Sequence, residues 1–567
     1  MDTRRLVLFF IFSFSLVMLW DAWQKQQVKL KAPAVAAASA PAARDASIPQ
    51  GAPPAAAVPG ALPVPAVPGA APAVAGPSAP VAPGAAGAPG NKAVVKTDVM
   101  VAEISAEGGD LRYVELKQHK DSQDKNRDLV LLGEHNYYAQ TGLLAQGLEL
   151  PNHRTVFTLA PGTYEFKPGE NKLTVRLEAV AGAIKVAKIY TFLRGSYAID
   201  VRYEISNGGS TPLAPSAYLQ LLRDDKSPAG ESKFLQTYTG PVFYSDADKF
   251  HKEAFSDIDK GKGVPVKPAN NGWVGMIQHY FASAWIPAGD AKREFYTKKV
   301  ADGLYSAGVI VPVGSIAPGT SGVMDAKLYV GPQDQDKLKA LAPGLELVVD
   351  YGWLTIIAQP MFLLLKWLHT MLGNWGLAII ALTVLIKGAF FPLSAASYKS
   401  MARMKKVTPR LTQIRERYGN DRMKMNQAMM ELYKEEKINP LGGCLPIVIQ
   451  IPVFIALYWT LLATVEMRHA PFYGWITDLS AQDPYYILPV IMAVSMFLQT
   501  KMNPTPPDPI QAKMMMIMPV VFSVFFFFFP AGLVLYWVVN NILSIAQQWQ
   551  ITRMIESGAD KEKKKKA

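Results

Sequence analysis

The chain has 567 residues, half of them apolar and 18% charged, with a net charge of +12 at pH 7. That length accommodates more than one domain, and the averages conceal a sharp segregation of apolar residues into 6–23 and the region after 350. The positive charge comes without zinc-knuckle spacing or an RNA-binding aromatic motif, which argues against a nucleic-acid binder, whereas Lys and Arg flanking membrane segments account for it.

The chain opens with MDTRRLVLFFIFSFSLVMLWDAWQKQ, a basic start followed by an apolar stretch from Leu6 to Trp20. A cleaved signal peptide needs small residues soon after such a stretch. Trp20, Asp21 and Trp23 stand there instead, which suits an uncleaved anchor with an aromatic belt over residues 1–31. Residues 32–93 are mostly Ala, Pro, Gly and Val, the composition of a semi-extended spacer.

From 94 to 345 the pattern becomes β. In YAIDVRYEISNGG, Ile199, Val201, Tyr203 and Ile205 alternate with Asp200, Arg202, Glu204 and Ser206 before a turn at Asn207-Gly208. That is a strand with one dry and one wet face. NKLTVRLEAV and GAIKVAKIYTFLRG read the same way, and about 250 residues of short strands point to a large β-sandwich. No metal spacing, phosphate-binding loop or nucleophile elbow occurs, so neither an enzyme nor a cofactor is expected.

After residue 350 the reading is helical. Segment 350–374 carries Lys366 and His369 and is interrupted by Pro360, which fits an amphipathic helix in the membrane interface. Span 2 is placed at 375–396, span 3 at 441–464 and span 4 at 484–501. The lone Cys444 lies in span 3, so no internal disulfide can form. Residues 514–552 contain no charge, about 58 Å of helix against a hydrocarbon core of about 30 Å. Two spans, 5 and 6, are therefore placed within 512–552, turning at FPAGL (529–533).

Between spans 2 and 3, residues 397–437 carry 11 Lys or Arg against 5 Asp or Glu. Met401, Met404, Val407, Leu411, Ile414 and Tyr418 form one helical stripe, and Met423, Asn426, Met430, Tyr433 and Lys437 a second, which makes an antiparallel helical hairpin. Arg4 and Arg5, this hairpin and the basic tail 553–567 fall on one side of six spans, while the acidic loop 466–483 falls on the other. The positive-inside rule then puts both termini in the cytoplasm and the β-domain outside.

Lys387 breaks the apolar run WGLAIIALTVLIKGAFFPLS. A charge at that depth costs roughly 2.5–3.5 kcal/mol on insertion scales and marks a functional cavity; the alternative is snorkelling to the interface. Thr383, Gln450, Ser523, Asn540 and Asn541 are further polar residues inside spans. Each can face a wet cavity or join helices by hydrogen bonds. Tyr536 and Trp537 also fit an interface belt.

NPLGGCLPIVIQIPVFIALYWTL (439–461), DLSAQDPYYILP (478–489) and FPAGLVLYWVVNN (529–541) resemble the signature segments of the YidC-type (YidC/Oxa/Alb) membrane protein insertases, in the Gram-negative form with a large periplasmic domain. The resemblance covers essentially the whole chain. It implies an α-helical polytopic membrane protein with six spans and a five-helix core, plus an external β-sandwich. It also implies a bacterial inner-membrane location and a hydrophilic groove open to cytoplasm and lipid. Lys387 stands where the family holds its groove cation, an arginine in the member compared. Gln450, Ser523, Tyr536 and Trp537 are implied to line the groove or touch the client, and Thr383 is grouped with them. The implied partners are nascent membrane proteins, membrane lipids and the Sec translocon, with the ribosome meeting the basic tail and hairpin.

Overall fold

The computed structural model describes residues 91–228, 237–263, 267–419, 421–436, 445–503 and 509–566. The expected anchor (1–31), nearly all of the spacer and Cys444 lie outside them. The described residues fall into two units, one within 43–348 and one within 349–567.

The first unit is built from two nine-stranded sheets. One runs in the order Glu294–Ala301, Leu304–Pro312, Ser216–Asp224, Tyr138–Leu144, Leu111–Lys120, Met100–Ser105, Lys92–Lys96 and Gly162–Glu165, with Asp128–Leu132 beside Leu111–Lys120. The other runs Lys249–Lys252, Gly240–Ser245, Trp273–Gln278, Phe281–Pro287, Ser321–Pro332, Ala198–Asn207, Ile184–Leu193, Lys172–Ala181 and Thr158–Leu159. Short helices α1 (Phe255–Asp259) and α2 (Gln335–Leu341) decorate them. The first strand takes up residues 92 and 93, so the sheet begins two residues before the expected boundary at 94.

Alternation explains the sandwich. Ile199, Val201, Tyr203 and Ile205 are fully buried, while Arg202 on the opposite face grips Asp325 of the neighbouring strand through two hydrogen bonds of 2.7 and 3.1 Å. The two sheets meet over Trp273, Trp285, Tyr137 and Tyr190. Trp285 donates its indole N–H to the Gln220 carbonyl at 3.0 Å, which ties one sheet to the other.

A polar seam also crosses this interior. Tyr296 donates to Gln220 (2.8 Å), Gln220 to Gln140 (3.0 Å) and Gln140 to Asp110 (2.9 Å). Gly308 lies between Gln220 and Tyr296 in strand register, and a Cβ there would overlap the Tyr296 hydroxyl. From the other sheet Lys188 donates to the carbonyls of Gly108 (2.7 Å), Gly109 (3.2 Å) and Thr141 (3.5 Å), with the rings of Phe157, Tyr190 and Tyr203 around it.

Burial pushes the Asp110 carboxyl up from 3.8 to about 7, with the Lys188 ammonium pulling the other way. The folded state therefore holds this proton more tightly than the unfolded chain does. The resulting stability is fully present below about pH 4 and is lost as pH rises through about 7. Thermal unfolding of the full-length protein, followed by tryptophan fluorescence, should show this. Asp110→Asn should remove a downward slope of at most about 1.4 kcal/mol per pH unit within that window. Parallel wild-type and variant curves would place the titration elsewhere.

The second unit is helical: α3 (Thr355–Leu372), α4 (Trp375–Ala389), α5 (Phe391–Tyr418), α6 (Arg422–Glu435), α7 (Leu445–Ala463), α8 (Ile487–Met502), α9 (Pro509–Phe526) and α10 (Ala531–Lys566). Gly373, with φ +66°, closes α3, and the Asn374 side chain caps α4 by accepting from Leu377 N at 3.1 Å. Among the described residues α3, the segment assigned to the interface, is the single unbroken helix long and apolar enough to cross a membrane. The helices of spans 2 and 4 have 15 and 16 residues. Helix α10 continues through 553–566, so the basic tail prolongs a helix and is not a separate segment.

The basic hairpin forms as α5 and α6, joined by Arg410–Glu436 at 2.8 Å. Its seam is Val407, Leu411 and Leu432, with Met404, Ile414, Met429 and Tyr433 packed against them. Of the stripe read on α5, Met404, Val407, Leu411 and Ile414 lie in this seam; of the one read on α6, Tyr433 does and the two methionines do not. Met423 is 84% exposed and Met430 52%, and the inward residues sit one step away at Met429 and Leu432. Asp421 starts α6 by capping Met423 N and Lys424 N, both at 3.1 Å, and the packing of Leu432 against Val407 and Leu411 sets the inward face.

Candidate functional site

Helix α4 buries Trp375, Ile379, Leu382, Thr383 and Lys387, one stripe at helical spacing, while Val384 and Leu385 on the other side are each 48% exposed. Lys387 therefore extends the inward face of the helix by one turn and is itself 8% exposed. The sequence placed it well inside a span running to 396. In the structure α4 ends at Ala389, and the chain turns by 66° into α5. Pro392 in the first turn of α5 supplies the break, because its ring cannot sit within a continuing helix. Lys387 thus occupies the last turn of α4, where the carbonyl end of the helix favours a cation.

The other wall is α10. Tyr536, Asn540, Ser544 and Gln548 recur every four residues and are all buried. Lys387 Nζ donates to Ser544 Oγ at 2.8 Å, and Ser544 Oγ donates to the Asn540 carbonyl at 2.7 Å. Two turns earlier Tyr536 accepts a hydrogen bond from Gln450 Nε2 of α7 at 3.2 Å. Phe454 packs edge-on against Trp537 at 4.6 Å, and Phe526 against Trp537 at 5.5 Å. The buried stretch of α10 from Tyr536 to Gln548 covers about 18 Å of helix.

Not every expected residue joins this arrangement by its polar group. Thr383 Oγ1 donates to Ile379 O at 2.7 Å, and Ser523 Oγ donates to Pro519 O, each four residues back on its own helix. Among the described residues neither hydroxyl therefore joins two helices. Tyr536 is 1% exposed inside the bundle, which removes the interface-belt reading for it. Trp537 Nε1 is buried and has no acceptor among the described residues.

The comparisons with known proteins give the family. Residues 92–364 match the model of the YidC periplasmic domain, and 367–559 match that of the 60Kd inner membrane protein. The chain is 57% identical over 562 residues to the membrane protein insertase YidC of Aromatoleum aromaticum, covering 98% of each. The chain belongs to the YidC family of membrane protein insertases. The YidC of Dechloromonas aromatica is 54% identical over 561 residues, again 98% of each chain. A solved structure of an active YidC insertase aligns over 80% of this chain and 91% of that one at 18% identity, with a TM-score of 0.36. A YidC-family chain of this form has a β-rich periplasmic domain followed by a helical inner-membrane region, and the two units described here follow that order.

Sequence reasoning missed Ser544. It lies 157 residues from Lys387, and nothing local links the two. The available signal was the four-residue recurrence of Tyr536, Asn540, Ser544 and Gln548 inside a chargeless apolar segment.

Proposed function

We propose that the chain inserts other membrane proteins through a polar groove between α4 and α10, with Lys387 as its cation. The observation that carries this reading is the state of Lys387. Its ammonium is buried, it points along the inward stripe of α4, and among the described residues its partner is a neutral hydroxyl with no carboxylate in ion-pair range. A buried cation without a counter-charge is costly, and an acidic or polar client tail relieves that cost as it enters.

In this reading Gln450 and Tyr536 extend the polar wall, Thr383 and Ser523 shape it, and Trp537 with Phe454 and Phe526 offers an apolar slide. The client's apolar segment leaves sideways into lipid, gaining about 25 cal/mol per Å² of apolar surface removed from water. The membrane potential acts on charged tails as well. Six spans, cytoplasmic termini, an interfacial α3 and a periplasmic β-domain complete the arrangement. The basic α5–α6 hairpin and the C-terminal lysines face the cytoplasm, where the ribosome and the nascent chain arrive, and the Sec translocon shares the larger clients.

Cysteine substitution tests the wet groove. A cysteine at Lys387 or Gln450 should react with a membrane-impermeant thiol reagent added from the cytoplasmic side at least about tenfold faster than one at Leu385, which lies on the exposed face of α4. Equal rates at all three positions would remove the groove.

A further inference from the structure

We infer that Ser544 is a positioning residue for the groove cation and that its lack of charge keeps Lys387 available to a carboxylate-bearing segment; this rests on the groove reading above. Three observations carry it. The Ser544 hydroxyl is itself held: its proton goes to the Asn540 carbonyl at 2.7 Å, so a lone pair is left facing the Lys387 ammonium at 2.8 Å. Serine 544 is 3% exposed, so this contact is made inside the bundle and not at its surface. The neighbouring acceptors on the same face, Asn540 Oδ1 and Gln548 Oε1, are buried without a donor among the described residues.

The chemistry follows from donor counting. An ammonium has three N–H donors. Ser544 takes one and contributes no counter-charge, so among the described residues two donors and the full charge stay available. An aspartate in its place would form a buried ion pair and neutralise the groove. An alanine would leave a flexible four-carbon stem to find its own orientation. The open amide oxygens of Asn540 and Gln548 lie one turn to either side and accept from backbone or side-chain N–H groups. The wall as a whole therefore suits an acidic peptide segment, with the carboxylate at Lys387 and N–H donors above and below it.

The test measures insertion of one client carrying tails from neutral to several acidic residues, scored by protease protection in cells depleted of the wild-type protein. Lys387→Ala is run beside the Ser544 variants, with the neutral tail as internal control. Ser544→Thr should retain the wild-type dependence on tail charge. Ser544→Ala should cut the advantage of the acidic tail about tenfold, the scale of one charge-assisted hydrogen bond. Ser544→Asp should abolish that advantage as Lys387→Ala does, while the near-isosteric Ser544→Asn should not.

If Lys387→Ala loses the tail dependence but Ser544→Asp keeps it, the role of Ser544 is wrong and the groove reading survives. Equal losses for neutral and acidic tails in Ser544→Ala would make Ser544 purely structural and also overturn the inference. Should Lys387→Ala keep the full tail dependence, both readings fall together.

Discussion

Lys387→Glu is expected to cut insertion of clients with acidic external tails severely while sparing clients whose tails are neutral and whose segments are strongly apolar. Reversing the charge turns an attraction into a repulsion at the point where α4 ends. Two unit charges about 4 Å apart interact by about 4 kcal/mol at an effective dielectric of 20. Hydration and side-chain freedom reduce that figure, and a tenfold to hundredfold loss remains for the acidic tail. Lys387→Ala should fall between Glu and wild type, because the attraction is removed without a repulsion replacing it. Lys387→Arg should retain activity, since a guanidinium stays charged at any accessible pH. The measurement is protease protection of a single client with graded tail charges. A uniform loss across that series in Lys387→Glu would reduce the cation to a hydration or packing element.

The second large effect concerns the other buried lysine. Lys188→Ala should destabilise the β-domain by about 3–5 kcal/mol, because removing one member of a buried polar arrangement strands the rest. The Gly108 carbonyl loses its lysine donor, the Gly109 carbonyl keeps only Tyr190, and Asp110 loses the stronger of the two cations acting on it. Thermal unfolding and limited proteolysis of the full-length protein read this out. The tail-charge dependence of insertion should be unchanged at a temperature where the variant is folded. A melting temperature within a degree of wild type would show that the seam around Lys188 contributes little.

The two buried lysines differ in how many of their donors the described fold uses. Lys188 is fully buried and meets three carbonyl oxygens and three aromatic rings, so its donors are used within the fold. Among the described residues Lys387 meets one hydroxyl. Sequence pattern gives both as a lysine among apolar neighbours. The acceptor set distinguishes them, and it is assembled from residues distant in sequence.

The same logic sorts what could be read from the chain alone. Ile199, Val201, Tyr203 and Ile205 announce their strand because a pleated ladder has a two-residue period that no other element shares. Val407 and Leu411 announce the hairpin through helical spacing. On α6 the methionines are abundant enough to fit more than one stripe, and packing of Leu432 and Met429 against the residues of α5 decides which one faces inward. The end of α4 was legible in principle, since Pro392 restricts the residue before it. The apolar run across Phe390 and Phe391 hid it by continuing the hydrophobic signal past the break. The Lys387–Ser544 contact depends on how α4 meets α10, which no local pattern records.

The placement of the first strand has a mechanical meaning. Lys92–Lys96 is not the rim of its sheet: it pairs antiparallel with Met100–Ser105 on one side and parallel with Gly162–Glu165 on the other. A tug on the chain at residue 91 along the strand axis therefore loads two ladders at once in shear. An outermost strand pulled sideways would instead surrender its hydrogen bonds one after another. Tension arriving from the N-terminal side is therefore shared by two ladders, and the first strand resists being peeled from its sheet one hydrogen bond at a time.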